Sequence, residues 1–168
     1  MEKIWAPWRM SYIKNAKNGP RKRSESLKSC LFCRVLRSKK DKKNLVLLRS
    51  KHSFAVLNLY PYNNGHMMAS PIRHVSSIEL LNDPEICDLI NTIKKAKLLL
   101  GRVLKPEGYN IGINIGRAAG AGIIGHLHIH IVPRWNGDTS FMPILSNTKV
   151  ISQSLNELYG KLKKCPNK

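Results

Sequence analysis

Three of the chain's six histidines stand in strict alternation, as His126, His128 and His130 in HLHIHIVPRW. Alternate residues of a strand share a face. The spacing therefore predicts three imidazoles on one side, with Leu127, Ile129 and Ile131 turned to the other. Successive members of such a row are separated by roughly 6.8 Å and the outer pair by roughly 13–14 Å. One phosphorus centre cannot sit equally close to all three. The middle imidazole, His128, is the natural nucleophile or base, since neutral imidazole is a good nucleophile near pH 7. The bland alternative is a solvated polar face that happens to use histidine.

Two further patterns carry chemistry. Residues 120–125 (GAGIIG) satisfy the G-x-G-x-x-G spacing of dinucleotide sites. That motif needs a following helix whose N-terminus meets pyrophosphate, and here a period-two strand follows, so the Rossmann reading fails. A glycine-rich hairpin loop fits instead, either cradling a phosphate on its backbone N–H groups or simply making a tight turn. CLFC at 30–33 has the C-x-x-C spacing of a metal knuckle; the alternative is two buried thiols with no metal. Cys87 and Cys165 have no partner by spacing and are expected in the core and in the tail.

The elements that must position these groups are legible from periodicity. Segments 45–50, 53–59, 66–72, 109–116 and 125–132 read as strands, the last two alternating cleanly. Residues 84–104 read as a long helix capped by Asp83, with Pro84 in its first turn and an apolar stripe of Ile86, Leu89, Ile90, Ile93, Leu100 and Leu104. A short helix near 76–81 and a C-terminal helix near 150–163 complete the set, and residues 37–43 (RSKKDKK) read as a loop. Hairpin-like strand pairs outnumber helices, which gives an α+β class with an antiparallel sheet.

At 168 residues the chain is one ordinary domain. Residues 1–29 form an aromatic arm (Trp5, Trp8, Tyr12) and a basic, Gly/Pro-broken linker; residues 30–168 form the domain. No apolar run approaches the ~18–20 residues of a membrane span. Glu2, Lys3, Trp5 and Pro7 interrupt the place of a signal-peptide core. Four cysteines are too few for a disulfide scaffold. The expected location is the cytoplasm.

With 29 Lys+Arg against 10 Asp+Glu, the formal charge is +19. Between Lys14 and Lys51 stand fourteen basic and two acidic residues, so this stretch alone carries +12. Such a balance favours polyanionic partners: nucleic acid, an anionic membrane or phosphate-rich small molecules. Aromatic residues do not interleave with these charges, which disfavours a single-strand binding platform.

The series Asn114, Gly116, Ala119, Gly120, His126, His128, His130, Val132 and Pro133 resembles the histidine-triad (HIT) family of nucleotide hydrolases and transferases. LNLYPYNNGHMMASPIRH (57–74) resembles the family's other half-site. WAPWR, C-x-x-C and RWNGDTSFMP (134–143) resemble a bacterial branch that includes diadenosine tetraphosphate phosphorylases. The resemblance implies a five-stranded antiparallel sheet with one long helix and a C-terminal helix, and commonly a homodimer. It implies that His128 attacks the α-phosphate of a nucleoside polyphosphate and that His130 binds or organises that phosphate. Asn58 and Asn114 match ribose- or phosphate-facing positions, and Gly120, Ala121, Gly122 and Ile123 form the phosphate loop. The nucleotidyl group then passes to water or inorganic phosphate. Dinucleoside polyphosphates are the first-choice substrates. Adenylylated DNA, aminoacyl-adenylates and phosphoramidates are alternatives, as is a non-enzymatic nucleotide-binding scaffold. Several relatives carry Gln four residues before the first triad histidine, where this chain has Gly122, so their acceptor chemistry does not transfer. His74 matches a zinc-ligand position in zinc-bearing relatives. With Cys30, Cys33 and His126, the outer histidine that the spacing leaves free, it would complete a closed, structural zinc site. His52 and His66 compete for that role, although His66 fits the floor of the site better.

Overall fold

A computed structural model describes residues 29–138 and 151–166. The aromatic arm, the linker over 15–28 and positions 139–143 of the RWNGDTSFMP segment lie outside the described residues. Helix α1 (Leu31–Ser38) comes first, followed by β1 (Val46–Arg49), β2 (Ser53–Leu57) and β3 (Met67–Pro71). A 3₁₀ turn (Ile78–Leu80) leads to the long α2 (Asp83–Leu104), then β4 (Gly108–Ile113), β5 (Ile129–Arg134) and α3 (Leu155–Lys164). The five strands make one antiparallel sheet in the order β1-β2-β3-β5-β4. The class is α+β, as the strand pattern predicts.

Strand β2 is buried along its whole length because both faces are covered. Ser53 turns to α2, where its hydroxyl meets the Thr92 hydroxyl at 2.7 Å. Phe54, of opposite parity, packs edge-on against Phe32 of α1 at 5.7 Å. The sheet is thus held between α2 on one face and α1 on the other. Helix α3 clamps the β1 edge, Tyr159 donating to the Val46 carbonyl and Lys163 to that of Leu47.

Four expectations are corrected. Asp83 is not the cap of α2: Asn82 is, its side chain accepting from the Glu85 N–H while the Glu85 carboxylate accepts from the Asn82 N–H. This reciprocal box satisfies two donors at once, which Asp83 inside the first turn could not do. Ile86 and Ile90 are exposed rather than part of the buried stripe; Thr92, Ala96 and Leu99 take that face with Leu89, Ile93 and Leu100. Cys87 is exposed rather than in the core. Arg37 and Ser38 close α1, and the basic turn begins only after Lys39, which adopts a left-handed cap.

Candidate active site and metal centre

The ladder of β5 starts at Ile129, four residues later than the predicted strand over 125–132. His126 and Leu127 are held from the side instead. The Leu127 N–H donates to the Val75 carbonyl, and the Ser70 hydroxyl donates to the Leu127 carbonyl. His128 and His130 nevertheless share a face, with ring centroids 5.0 Å apart, while Ile129 and Ile131 are buried on the other. His130 stands opposite Met68 of β3 in the ladder.

Hydrogen bonds to groups that only accept or only donate fix three of the ring tautomers. His128 Nδ1–H donates to the His126 carbonyl at 2.9 Å, which in the neutral ring leaves Nε2 of His128 with the lone pair. The Tyr62 N–H and the Asn58 amide donate to Nδ1 of His66, at 3.0 and 3.2 Å. The proton of His66 is therefore on Nε2 and is donated to Nδ1 of His130 at 2.9 Å. His130 in turn carries its proton on Nε2. A lone-pair nitrogen and an N–H donor thus stand side by side in one row. His66 stays neutral, because burial and then the neighbouring His130 and His128 push it down from 6.5 to about 3. Burial also lowers His130.

His128 and His130 line a groove of about 530 Å³ together with the apolar Phe32, Val35, Leu45, Val56 and Leu57 and the basic Arg34 and Lys43. Asn58 also lines it, its Oδ1 accepting from the Tyr60 N–H at 3.0 Å. Of the glycine loop, Gly122 and Ile123 reach the groove. The N–H groups of Gly120 and Ala121 are used within the turn, on the carbonyls of Arg117 and Gly116. Gly120 is left-handed at φ +85°, and a Cβ there would stand 3.9 Å from the Asn114 amide. Asn114 thus flanks the loop at the end of β4 and is not among the residues lining the groove.

Beyond His126 lies a second cluster. Cys30 Sγ and Cys33 Sγ stand 3.3 and 3.6 Å from His126 Nδ1, and Cys33 Sγ is 3.3 Å from His74 Nδ1. Four potential ligand atoms of Cys30, Cys33, His74 and His126 lie within 4.8 Å of one another. Tetrahedral zinc, with bonds of about 2.3 Å to sulfur and about 2.0–2.1 Å to nitrogen, separates S and N by about 3.6 Å. The cluster fits that cage. Its donors also fit, since His126 Nε2–H donates to the Pro71 carbonyl at 2.9 Å and the ring turns a bare Nδ1 to the sulfurs. Without a cation, burial and the adjacent Cys30 push the Cys33 thiol up to about 11, and burial pulls His126 down to about 4. His52 lies in the β1–β2 turn with its backbone N–H on Asp88, outside this cluster.

Two residues of the site escape sequence reading. Phe32, between the cysteines, packs within 5.3 Å of the His126 ring and 5.4 Å of the His128 ring, joining the two clusters. Tyr62 covers His66 and His130 at 4.5 and 5.4 Å. Phe32 had a signal, its place inside C-x-x-C. Tyr62 had none, because its position depends on how the loop folds back.

The HIT domain pattern matches residues 39–137. The chain belongs to the HIT family. Among its HIT relatives, the AP-4-A phosphorylase of Mycobacterium tuberculosis is 40% identical over 157 residues, covering 94% of this chain and 80% of that protein. A histidine triad nucleotide-binding protein of Sulfolobus tokodaii superposes with a TM-score of 0.65 at 26% identity, covering 80% and 89% of the two chains. A Zn-bound histidine triad protein of Mycobacterium smegmatis shares the fold, with a TM-score of 0.66 at 21% identity over 83% and 94%. No described helix is long and apolar enough to cross a membrane.

Proposed function

We propose that this HIT protein is a nucleotidyl-histidine enzyme that cleaves dinucleoside polyphosphates, with inorganic phosphate as the acceptor. The observation that carries the reading is the tautomer pattern: a bare Nε2 on His128 beside an Nε2–H on His130, both in the groove. The apolar side chains of the groove receive a base, and Asn58, also in the lining, hydrogen-bonds a ribose hydroxyl. His128 Nε2 attacks the α-phosphorus. A P–N bond forms, the bond to the bridging oxygen breaks, and its electron pair leaves with the polyphosphate. The His130 N–H donates to a non-bridging oxygen as charge gathers there. An oxygen of inorganic phosphate then attacks the same phosphorus, and the P–N pair returns to His128. For diadenosine tetraphosphate the products are ATP and ADP.

Support for phosphate over water comes from the phosphorylase relative at 40% identity and from Gly122, which leaves open space beside the groove where a glutamine would stand. The deciding experiment runs diadenosine tetraphosphate with and without millimolar phosphate and separates the nucleotides. ADP with ATP, formed faster when phosphate is present, is the expected result; AMP with ATP under both conditions would make the enzyme a hydrolase.

Zinc at Cys30, Cys33, His74 and His126 is a structural part of this proposal, since four protein ligands leave no open position. A reducing cytoplasm is the compartment in which such thiols bind metal rather than pair. A homodimer across β4 completes it. That strand is a sheet edge, with Ile111 and nearby Ile115 exposed, and an exposed apolar edge invites pairing. Sedimentation should give twice the chain mass, and Ile111→Lys should shift it to one.

A further inference from the structure

The loop from Asn58 to His66 presents its aromatic residues outward. Tyr60 is 81% exposed, Leu59 61% and Tyr62 55%. An exposed tyrosine at a loop tip is ordinarily mobile, yet this loop is tied down at both ends. The Asn58 N–H donates to the His66 carbonyl at 2.9 Å, and the N–H groups of Tyr60 and Tyr62 are taken by Asn58 Oδ1 and His66 Nδ1. Buried Asn63 donates to the Pro133 carbonyl and to Asp138. Gly65, at φ +76°, lets the chain turn where any Cβ would collide with Leu104. Tyr62 lies 30° from the plane of His130, so the aromatic surface is continuous with the catalytic row.

We infer that Tyr60 is a stacking platform for the distal nucleoside of the substrate, the one that departs with the polyphosphate. The inference rests on the reaction proposed above. In-line displacement sends the leaving group away from His128 Nε2. The apolar side chains of the lining take the proximal base, so the departing chain has to run along another part of the groove. Tyr60 and Tyr62 both line the groove that holds His128 and His130. Tyr60 is the more exposed of the two, and among the described residues its ring has none of the ring contacts that hold Tyr62 on the histidines. Stacking accepts any base, because every base has a π-face. The platform would thus favour dinucleoside over mononucleoside polyphosphates without selecting the second base.

The test compares diadenosine tetraphosphate with adenosine 5′-tetraphosphate, which has as many phosphates and no second nucleoside. Calorimetric titration into the full-length His128→Ala protein keeps both ligands intact. The dinucleotide should bind about tenfold more tightly. The difference should vanish in His128→Ala/Tyr60→Ala and return in His128→Ala/Tyr60→Trp. Equal affinities for the two ligands in the starting protein would overturn the inference. So would a difference that survives Tyr60→Ala, or a Tyr60→Ala change that alters only the oligomeric state. Cleavage by the wild-type protein is assayed separately. Affinity that depends on the second nucleoside without cleavage would therefore sink the catalytic reading and leave the platform standing.

Discussion

Which nitrogen of a histidine can act depends on what holds the other one. The His126 carbonyl holds Nδ1 of His128, so replacing the ring removes the attacking atom together with its packing against Phe32 and His130. His128→Ala should abolish turnover while nucleotide affinity stays within about tenfold, because a nucleophile contributes mainly to the transition state. Unchanged turnover would end the covalent mechanism. His66 works one step back, fixing His130 with its proton outward. A glutamine at this position can still accept from the Tyr62 N–H and donate to His130, whereas leucine can do neither. His66→Leu should lose about 10² in kcat with a small change in KM, and His66→Gln should recover most of it. Equal losses in both variants would assign His66 a packing role only.

At the scale of elements, α1 is the piece most dependent on the metal cage. It is an eight-residue helix with Cys30 at its N-cap and Cys33 in its first turn, joined to the sheet through His74 and His126. A helix this short does not stand alone in water. The purified protein should hold close to one zinc per chain by elemental analysis. Cys30→Ser/Cys33→Ser should lose the metal and lower the melting temperature. Because Phe32 and Val35 of α1 also wall the groove, the same variant should bind nucleotide more weakly. Metal-free protein with unchanged stability would leave two buried thiols as the correct description.

For the molecule as a whole, acid should act in two windows. Buried His66 has its pKa lowered from 6.5 to about 3, so below pH 6.5 the unfolded chain binds a proton that the folded chain refuses. Its contribution to stability is complete above that value and declines as pH falls toward 3. The Glu85 carboxyl is held at about 2 by the Arg73 guanidinium and the Asn82 N–H. Its contribution is present above pH 4.5 and is lost between there and 2. Since Arg73 is half exposed, solvent screening weakens that pair. Denaturant titrations across pH should show His66→Gln flattening the upper window and Glu85→Gln the lower. A profile that both variants leave unaltered would place the acid sensitivity elsewhere.

Local pattern alone determined much of this protein. Alternation in HLHIHIV places His128 and His130 on one face with Ile129 and Ile131 behind them, because strand parity needs no distant partner. The five strands, the long helix and the C-x-x-C pair follow from periodicity and spacing in the same way, and the family motif extends them to the fold. What only the tertiary structure decided depends on groups far apart in sequence. His126 joins Cys30 across 96 positions, and His66 meets His130 across 64. Asn82 rather than Asp83 caps α2, because the winning geometry includes the Glu85 side chain. Ile86 and Ile90 fall on the outer side of a helix whose inner face is chosen by the sheet beneath it. Tyr60 and Tyr62 acquire their positions from a loop closed by Gly65, Asn63 and Pro133. Residue types state which chemistry is available; the fold decides which nitrogen is bare, which proton faces the groove and which thiols meet which rings, because hydrogen bonds and ligand cages are closed by residues that sequence distance conceals.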